Sequence, residues 1–180
     1  MSNHRIAGIK VRNPVAAKLH DLILGGQDGL VNVLGVVLGV AAATANTRVV
    51  LIAGLAATFA ESISMGAVAY TSAKAAREYY LSVSKKEPQE YHDPLASGVT
   101  VGMASLIGSF IPLLPFFALP VAPAIWWALL ICTASLFVAG AYKARITVGT
   151  WWKSGIELAL IGMLAALAGY AIGHFLGVVV

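Results

Sequence analysis

Two acidic residues interrupt the apolar stretches near the start of this chain. Asp28 lies within the run Asp21–Gly39, and Glu61 lies within the next run, four residues before Met65. An ionised group in hydrocarbon costs roughly 2.5–3.5 kcal/mol on the insertion scale, so acids inside a membrane usually mark an ion or proton pathway. We therefore predict that both acids belong to such a pathway rather than to a purely structural polar contact.

The side chains around these acids suit a divalent transition metal. Carboxylate oxygens bind Mn²⁺ and Fe²⁺, and a thioether such as Met65 adds preference for later metals over Mg²⁺ and Ca²⁺. A weak, mixed ligand set fits transport, because the ion must also be released. Carboxylates in a low-dielectric surrounding also take up protons, so one site could exchange two protons for one divalent cation. Asn32 extends the face of Asp28, and Ser64 flanks that of Glu61.

Other roles for these residues stay open at the level of sequence. Asp28 could pair with Lys18 or a backbone amide, and Met65 could serve packing alone. Glu157 follows Lys153 by four residues, which favours an interfacial ion pair, with a place at an ion entrance as the alternative. We find no nucleophile–base set and no phosphate loop, so we expect neither an enzyme nor a permanently bound cofactor.

Composition identifies a membrane protein. Of the 180 residues, 59% are hydrophobic and 11% are charged, against about 25% charged residues in soluble domains. The mean hydropathy is +0.83. Soluble folds are therefore excluded, and the formal charge of +4 is better explained by membrane topology than by nucleic-acid binding.

Apolar runs predict an all-α membrane protein with five transmembrane helices in one domain, residues 1–180. About 20 apolar residues cross a bilayer, and each run reaches that length. A basic N-terminal segment covers residues 1–19, and a short polar linker covers residues 74–94. The predicted spans are about 22–45, 49–69, 95–119, 121–142 and 154–180.

The distribution of basic residues predicts the orientation. With the N-terminus in the cytosol, Arg48 alone of the Lys and Arg residues falls outside, which satisfies the positive-inside rule. The C-terminus is then outside. An odd number of spans argues against an inverted repeat within one chain, so we expect a pore between two copies in a homodimer. The other eleven basic residues are Arg5, Lys10, Arg12, Lys18, Lys74, Arg77, Lys85, Lys86, Lys143, Arg145 and Lys153.

Glycines at four-residue spacing predict close helix contacts. Gly25 and Gly29, and then Gly35 and Gly39, form two such pairs in the first span, and the last span has a doubled GxxxG. The linker 74–94 allows two interpretations. Glu87, Glu90, His92 and Asp93 could collect metal, but their spacing matches no tight ligand motif, which favours a solvated linker.

Five motifs, in order, resemble the vacuolar iron transporter family across most of residues 17–177. They are GGQDGLVNVLGVVLGVAAA, LIAGLAATFAESISMGAVAY, IPLLPFF, LFVAGAYKARIT and GIELALIGMLAALAGYAIG. The resemblance implies five helices, a dimer, and an ion path between the first helices of the two protomers. It also implies movement of Fe²⁺, and often Mn²⁺, out of the cytosol in exchange for protons.

Carried onto this chain, the resemblance implies that Asp28 and Met65 are transport residues, with Glu61 and Asp21 near the cytosolic entrance. Asp21 precedes Asp28 by almost two helical turns, so both carboxylates should share a face. Two features depart from the family. Many members have Gly-Glu-Tyr where this chain has Val68-Ala69-Tyr70, and many have a large Glu-rich cytosolic domain where it has only the linker. The chain thus resembles a shorter branch, in which Glu78, Glu87 and Glu90 could be a remnant of the metal-collecting surface.

We accordingly expect a homodimeric exporter of Fe²⁺, and second of Mn²⁺, that works by proton antiport. Its partners would be divalent metal ions, protons and membrane lipid, without nucleic acid. The alternatives are a channel or small-solute transporter on the same scaffold, and a non-transporting interaction or regulatory protein that uses its GxxxG faces. We expect it in the cell membrane, with an organelle membrane of vacuolar type as the alternative.

Overall fold

The computed structural model of the chain describes residues 14–84, 93–146 and 149–177, and the described part is almost entirely helical. Five stretches are long and apolar enough to cross a membrane, which confirms the predicted all-α fold with five spans. Helices α1, α3 and α6 begin at the same end of the bundle, called the near end below. The helices are α1 Pro14–Thr44, α2 Thr47–Ser84, α3 Pro94–Phe110, α4 Leu114–Ala118, α5 Val121–Ile146 and α6 Trp151–Gly177.

The third span is broken by prolines. After α3 the chain forms a 3₁₀ turn, Ile111–Leu113, before α4 completes the span at Ala118. Proline lacks the N–H that an α-helix needs and its ring crowds the preceding turn, so Pro112 and Pro115 favour this break. The break turns Leu113 and Phe116 into the interior, where both are buried.

Helix α1 lies at the centre of the bundle and contacts the other four spans. From Leu30 onward its buried side has a helical period and is apolar, comprising Leu30, Val33, Leu34, Val37, Leu38 and Ala41. Small buried residues of α5, such as Ala124 and Ala128, lie in the same core and allow close packing. Because lipid is as apolar as these side chains, such packing, rather than water exclusion, holds the spans together.

The predicted glycine contacts form inside one protomer. A Cβ on Gly39 of α1 would lie 2.9 Å from the carbonyl oxygen of Gly169 of α6, and one on Gly173 would collide with the carbonyl oxygen of Gly39. Near the start of α1, a Cβ on Gly25 would likewise collide with the carbonyl oxygen of Val101 in α3. The small-residue faces therefore bind α1 to α6 and α3, and they are not free to dock another protein.

Helix α2 is longer than its predicted span. It continues to Ser84, so the first part of the predicted linker 74–94 is helical. Asp93 caps the next helix, because its carboxylate oxygen Oδ1 accepts a hydrogen bond of 3.2 Å from the backbone N–H of Leu95. The other proposed metal-collecting residues of the linker, Glu87, Glu90 and His92, lie outside the described residues.

Candidate functional site

Asp28, Asn32 and Glu61 form a polar cluster between α1 and α2. Asn32 Nδ2 donates a hydrogen bond of 3.1 Å to Glu61 Oε1. The Asp28 carboxyl lies close enough to the same glutamate for the two side chains to interact. Asp28 and Asn32 are four residues apart and share one side of α1, so both can reach a single side chain on α2. The two intramembrane acids of the sequence are thus side by side.

The cluster lies deep in the membrane-spanning region. Asp28 is ten residues into the first span, Lys18–Thr44, or about 15 Å at the helical rise, which is half of a hydrocarbon core of about 30 Å. Asn32 is nevertheless exposed on the protomer surface, and Asp28 and Glu61 are half-buried. Polar groups at this depth need polar partners or water.

The contact between the two carboxyls has a chemical consequence. An ionised carboxylate only accepts hydrogen bonds, so two carboxyl groups can bond to each other only when one of them carries a proton. The amide of Asn32 supplies a further donor to Glu61. Two neighbouring carboxyl groups can therefore hold either a proton between them or a cation, in the same place.

Met65 and Ser64 complete the nearby candidates on α2. Met65 is half-buried and lies one helical turn from Glu61, while Ser64 is exposed. The described part of the chain contains no group of three or more His, Cys, Asp or Glu side chains able to hold a metal ion. A single protomer thus offers two carboxylates, an amide and a thioether, which is a sparse ligand set.

Asp21 occupies a separate place from Asp28. It is only 8% exposed, and its Oδ2 accepts a hydrogen bond of 2.6 Å from the hydroxyl of Ser97 in α3. His20 Nδ1 lies 3.3 Å from the other carboxylate oxygen. The structure therefore turns Asp21 toward α3 and Asp28 toward α2. Ser97 was not predicted from the sequence; its signal is its place in the row Ser97, Val101 and Ser105, spaced by four residues, on the side of α3 that faces α1.

We expect Asp21→Ala to lower stability more than transport. The substitution leaves the buried Ser97 hydroxyl without an acceptor, which costs about 1–3 kcal/mol. Thermal unfolding in detergent should show a lowered midpoint for Asp21→Ala and a comparable one for Ser97→Ala. Metal flux per folded protein should stay within a few-fold of wild type. A normal unfolding midpoint with lost flux in Asp21→Ala would instead assign Asp21 to the metal entrance.

Comparison with known proteins identifies the family. A family model described as the VIT family matches residues 19–93 and 83–174. The chain belongs to the VIT family. Vacuolar iron transporter 1 of Arabidopsis thaliana is 27% identical over 210 aligned positions, which cover 86% of this chain and 84% of that protein. An uncharacterized protein of Methanocaldococcus jannaschii is 30% identical over 158 positions, covering 80% and 82% respectively.

Some VIT family members are larger than this chain. The alignment with the Arabidopsis protein spans 210 positions, more than the 180 residues present here, so that protein has residues without a counterpart. The two segments of the VIT family match overlap at residues 83–93, which cover the end of α2 and the linker to α3. These comparisons agree with the expected resemblance to a shorter branch.

The remaining predicted site residues lie away from the cluster. Glu78 is exposed on the distal part of α2, where Lys74 Nζ lies 4.0 Å from its Oε1. Glu157 is exposed on α6. Lys153 is placed over the ring of Trp152, 5.5 Å from the centroid, and no ion pair joins it to Glu157 in the described chain. Of the site residues predicted from the sequence, the structure thus brings together Asp28, Asn32 and Glu61.

Proposed function

We propose that the chain exports divalent transition metals, Fe²⁺ first and Mn²⁺ second, from the cytosol in exchange for protons. The observation that carries this proposal is the polar cluster at mid-membrane depth, where Asn32 donates a hydrogen bond of 3.1 Å to Glu61 and Asp28 lies nearby, on an exposed face. The chain belongs to the VIT family, and several of its relatives are named vacuolar iron transporters. These names support iron as the first substrate.

A second copy of the chain would complete this face. Asn32 is exposed in hydrocarbon, and a symmetric partner would cover it and supply its own cluster. A two-fold axis beside α1 places identical patches opposite each other, as isologous interfaces require. The resulting path would have four carboxylates and two thioethers, a set that suits Fe²⁺ and Mn²⁺ better than the two carboxylates of one protomer.

The count of protons favours exchange of two for one. With one proton shared by each Asp28–Glu61 pair, two clusters across a dimer axis would hold two. Loss of both protons balances the charge of one divalent cation, and the membrane interior then carries no added net charge. With the N-terminus in the cytosol, as the basic residues predict, metal would enter from the near end and leave at the far end. The proposal applies to a cell or an organelle membrane alike.

Flux measurements in liposomes test the proposal. Purified protein should carry Fe²⁺, Mn²⁺ and Co²⁺. Metal uptake should be faster when the proton gradient is directed opposite to the movement of the metal, and protons should leave as the metal enters. A metal flux whose rate does not depend on the proton gradient would indicate a channel. The absence of flux, together with an unfolding midpoint unchanged by metal, would indicate a non-transporting protein and contradict the proposal.

We expect Glu61→Gln to flatten the pH dependence of transport. Glutamine still accepts the hydrogen bond from Asn32, but it cannot release a proton, so metal and proton no longer compete for it. Wild-type flux should increase as the pH on the metal-loading side rises, whereas the variant should be slower by about ten-fold and nearly independent of pH. Glu157→Gln, the same change outside the cluster, should keep the wild-type profile. An unchanged profile in Glu61→Gln would remove Glu61 from proton coupling.

A further inference from the structure

Two buried hydroxyls in α3 have no hydrogen-bond partner. Ser105 and Ser109 are fully buried, and the Oγ atom of each is unpaired within the described chain. Comparable hydroxyls on α2 bond to the carbonyl four residues earlier: Thr58 Oγ1 donates to Gly54 at 2.8 Å, and Ser62 Oγ donates to Thr58 at 2.6 Å. An unmade hydrogen bond in a dry interior costs stability, so the unpaired state of both serines calls for a reason.

Both hydroxyls are directed at the backbone of α1 beside Asp28. A Cβ on Gly29 would lie 2.6 Å from Ser109 Oγ and 2.7 Å from Ser105 Oγ. Gly29 follows Asp28 directly, so the two donors lie against the segment that carries the proposed ion-binding acid. Their orientation toward α1, rather than toward their own helix, places two unused donors against this backbone.

The same segment of α1 is weak as a helix. Gly25, Gly26 and Gly29 occur within five residues, and glycine is the least favourable helix former apart from proline. Sharp helix bends occur at such glycines, often with serine nearby. Within a membrane, any carbonyl freed by a bend must find a donor, and serine side chains of neighbouring helices are typical donors.

We propose that α1 bends at Gly26 and that Ser105 and Ser109 then donate hydrogen bonds to the α1 carbonyls freed by the bend. In the structure α1 is one continuous helix, Pro14–Thr44, and the two hydroxyls have no hydrogen-bond partner in this state. A bend here turns Asp28 relative to Glu61 and so alternates between closing and opening the proposed ion site. The role in transport rests on the proposed function, whereas the bend itself does not.

Gly26 permits a clean test, because its α-carbon has room for a methyl group. A Cβ on Gly26 would lie 3.7 Å from its nearest neighbour, the carbonyl oxygen of Ala104. Gly35, further along α1, offers a matched control, since its Cβ would lie 3.5 Å from the carbonyl oxygen of Ala165. Alanine at either position adds the same methyl group and the same helix propensity, but only one lies at the proposed bend.

The experiment compares Gly26→Ala, Gly35→Ala and the double variant Ser105→Ala/Ser109→Ala in the full chain. With Mn²⁺ in liposomes, we expect Gly26→Ala and the serine variant to slow maximal flux about five-fold without changing the half-saturating concentration. Gly35→Ala should remain close to wild type. The serine variant should be no less stable than wild type, because it removes two unpaired hydroxyls, so its slower flux would not reflect misfolding.

Hydrogen–deuterium exchange measures the bend without metal. Wild-type amides around residues 26–30 should exchange faster than those further along α1, since a bend opens hydrogen bonds there. Gly26→Ala and the serine variant should slow this local exchange, and Gly35→Ala should not. Equal exchange in Gly26→Ala and wild type would overturn the bend, whatever the flux. If Gly26→Ala alters the exchange but keeps wild-type flux, the bend has no role in transport. If the wild-type protein itself shows no flux, the proposed function is contradicted, and the exchange measurement alone decides whether α1 bends.

Discussion

Replacing Asp28 by asparagine is expected to reduce metal flux in liposomes to the level of protein-free vesicles. The amide is nearly the same size as the carboxyl and can still donate to Glu61, so the contact between α1 and α2 survives. The variant loses both a charged oxygen ligand and the exchangeable proton. Loss of even an outer partner of a metal ligand costs about 10–100-fold, so loss of a proposed ligand should cost roughly 100-fold or more.

The matched control for Asp28→Asn is Asp21→Asn, the same change seven residues earlier on α1. Asparagine at that position can still accept the hydrogen bond of Ser97, so most flux should remain. Both variants should elute from a gel-filtration column at the wild-type volume, which excludes misfolding. Substantial flux in a correctly assembled Asp28→Asn protein would remove Asp28 from the ion path.

The five spans could be predicted from sequence because length and hydropathy suffice for that purpose. Each run satisfies its backbone hydrogen bonds within its own helix, so no knowledge of neighbours is needed. The sequence placed Asp28 and Glu61 in one pathway, but it offered Lys18 or a backbone amide, and not Glu61, as the pairing partner of Asp28. The sequence placed Asn32 on the same face of α1 as Asp28, but it did not predict that Asn32 donates a hydrogen bond to Glu61.

The different surroundings of Asp21 and Asp28 could not be predicted. Their spacing places both on one side of an ideal helix, but each partner depends on how neighbouring helices lie along α1. That register is set by close backbone approaches, such as Gly25 against the carbonyl of Val101. The spacing of residues along a sequence describes a single helix. It does not show which neighbouring helix packs against each part of its face.

The unpaired hydroxyls of α3 were missed for a related reason. Serine in an apolar span usually bonds to its own helix, as Ser62 does here, so sequence gives no cause to single out Ser105 and Ser109. Their four-residue spacing, in register with Ser97 and Val101, indicates the side of α3 that packs on α1. Only the packed structure shows that two members of this row have no partner.

Replacing Gly173 by leucine is expected to prevent folding of the protomer. Any side chain there collides with the carbonyl oxygen of Gly39, and a backbone atom in a central helix cannot move aside as a flexible side chain can. Overpacking costs about 1–3 kcal/mol in ordinary cores, and this contact should reach or exceed the upper value. The measurements are the unfolding midpoint in detergent and the yield of non-aggregated protein.

Alanine substitutions at the contact between α1 and α6, called the seam, distinguish a steric collision from a general effect of an added methyl group. Gly173→Ala should be strongly destabilised, whereas Gly35→Ala should be tolerated because its methyl group has room. The comparison also tests which surface the doubled GxxxG serves. A seam between α1 and α6 within one protomer predicts loss of the folded chain, while a dimerisation motif predicts a well-folded monomer. A stable, monomeric Gly173→Leu protein would therefore move the dimer interface from the Asp28 face to α6 and contradict the proposed ion path.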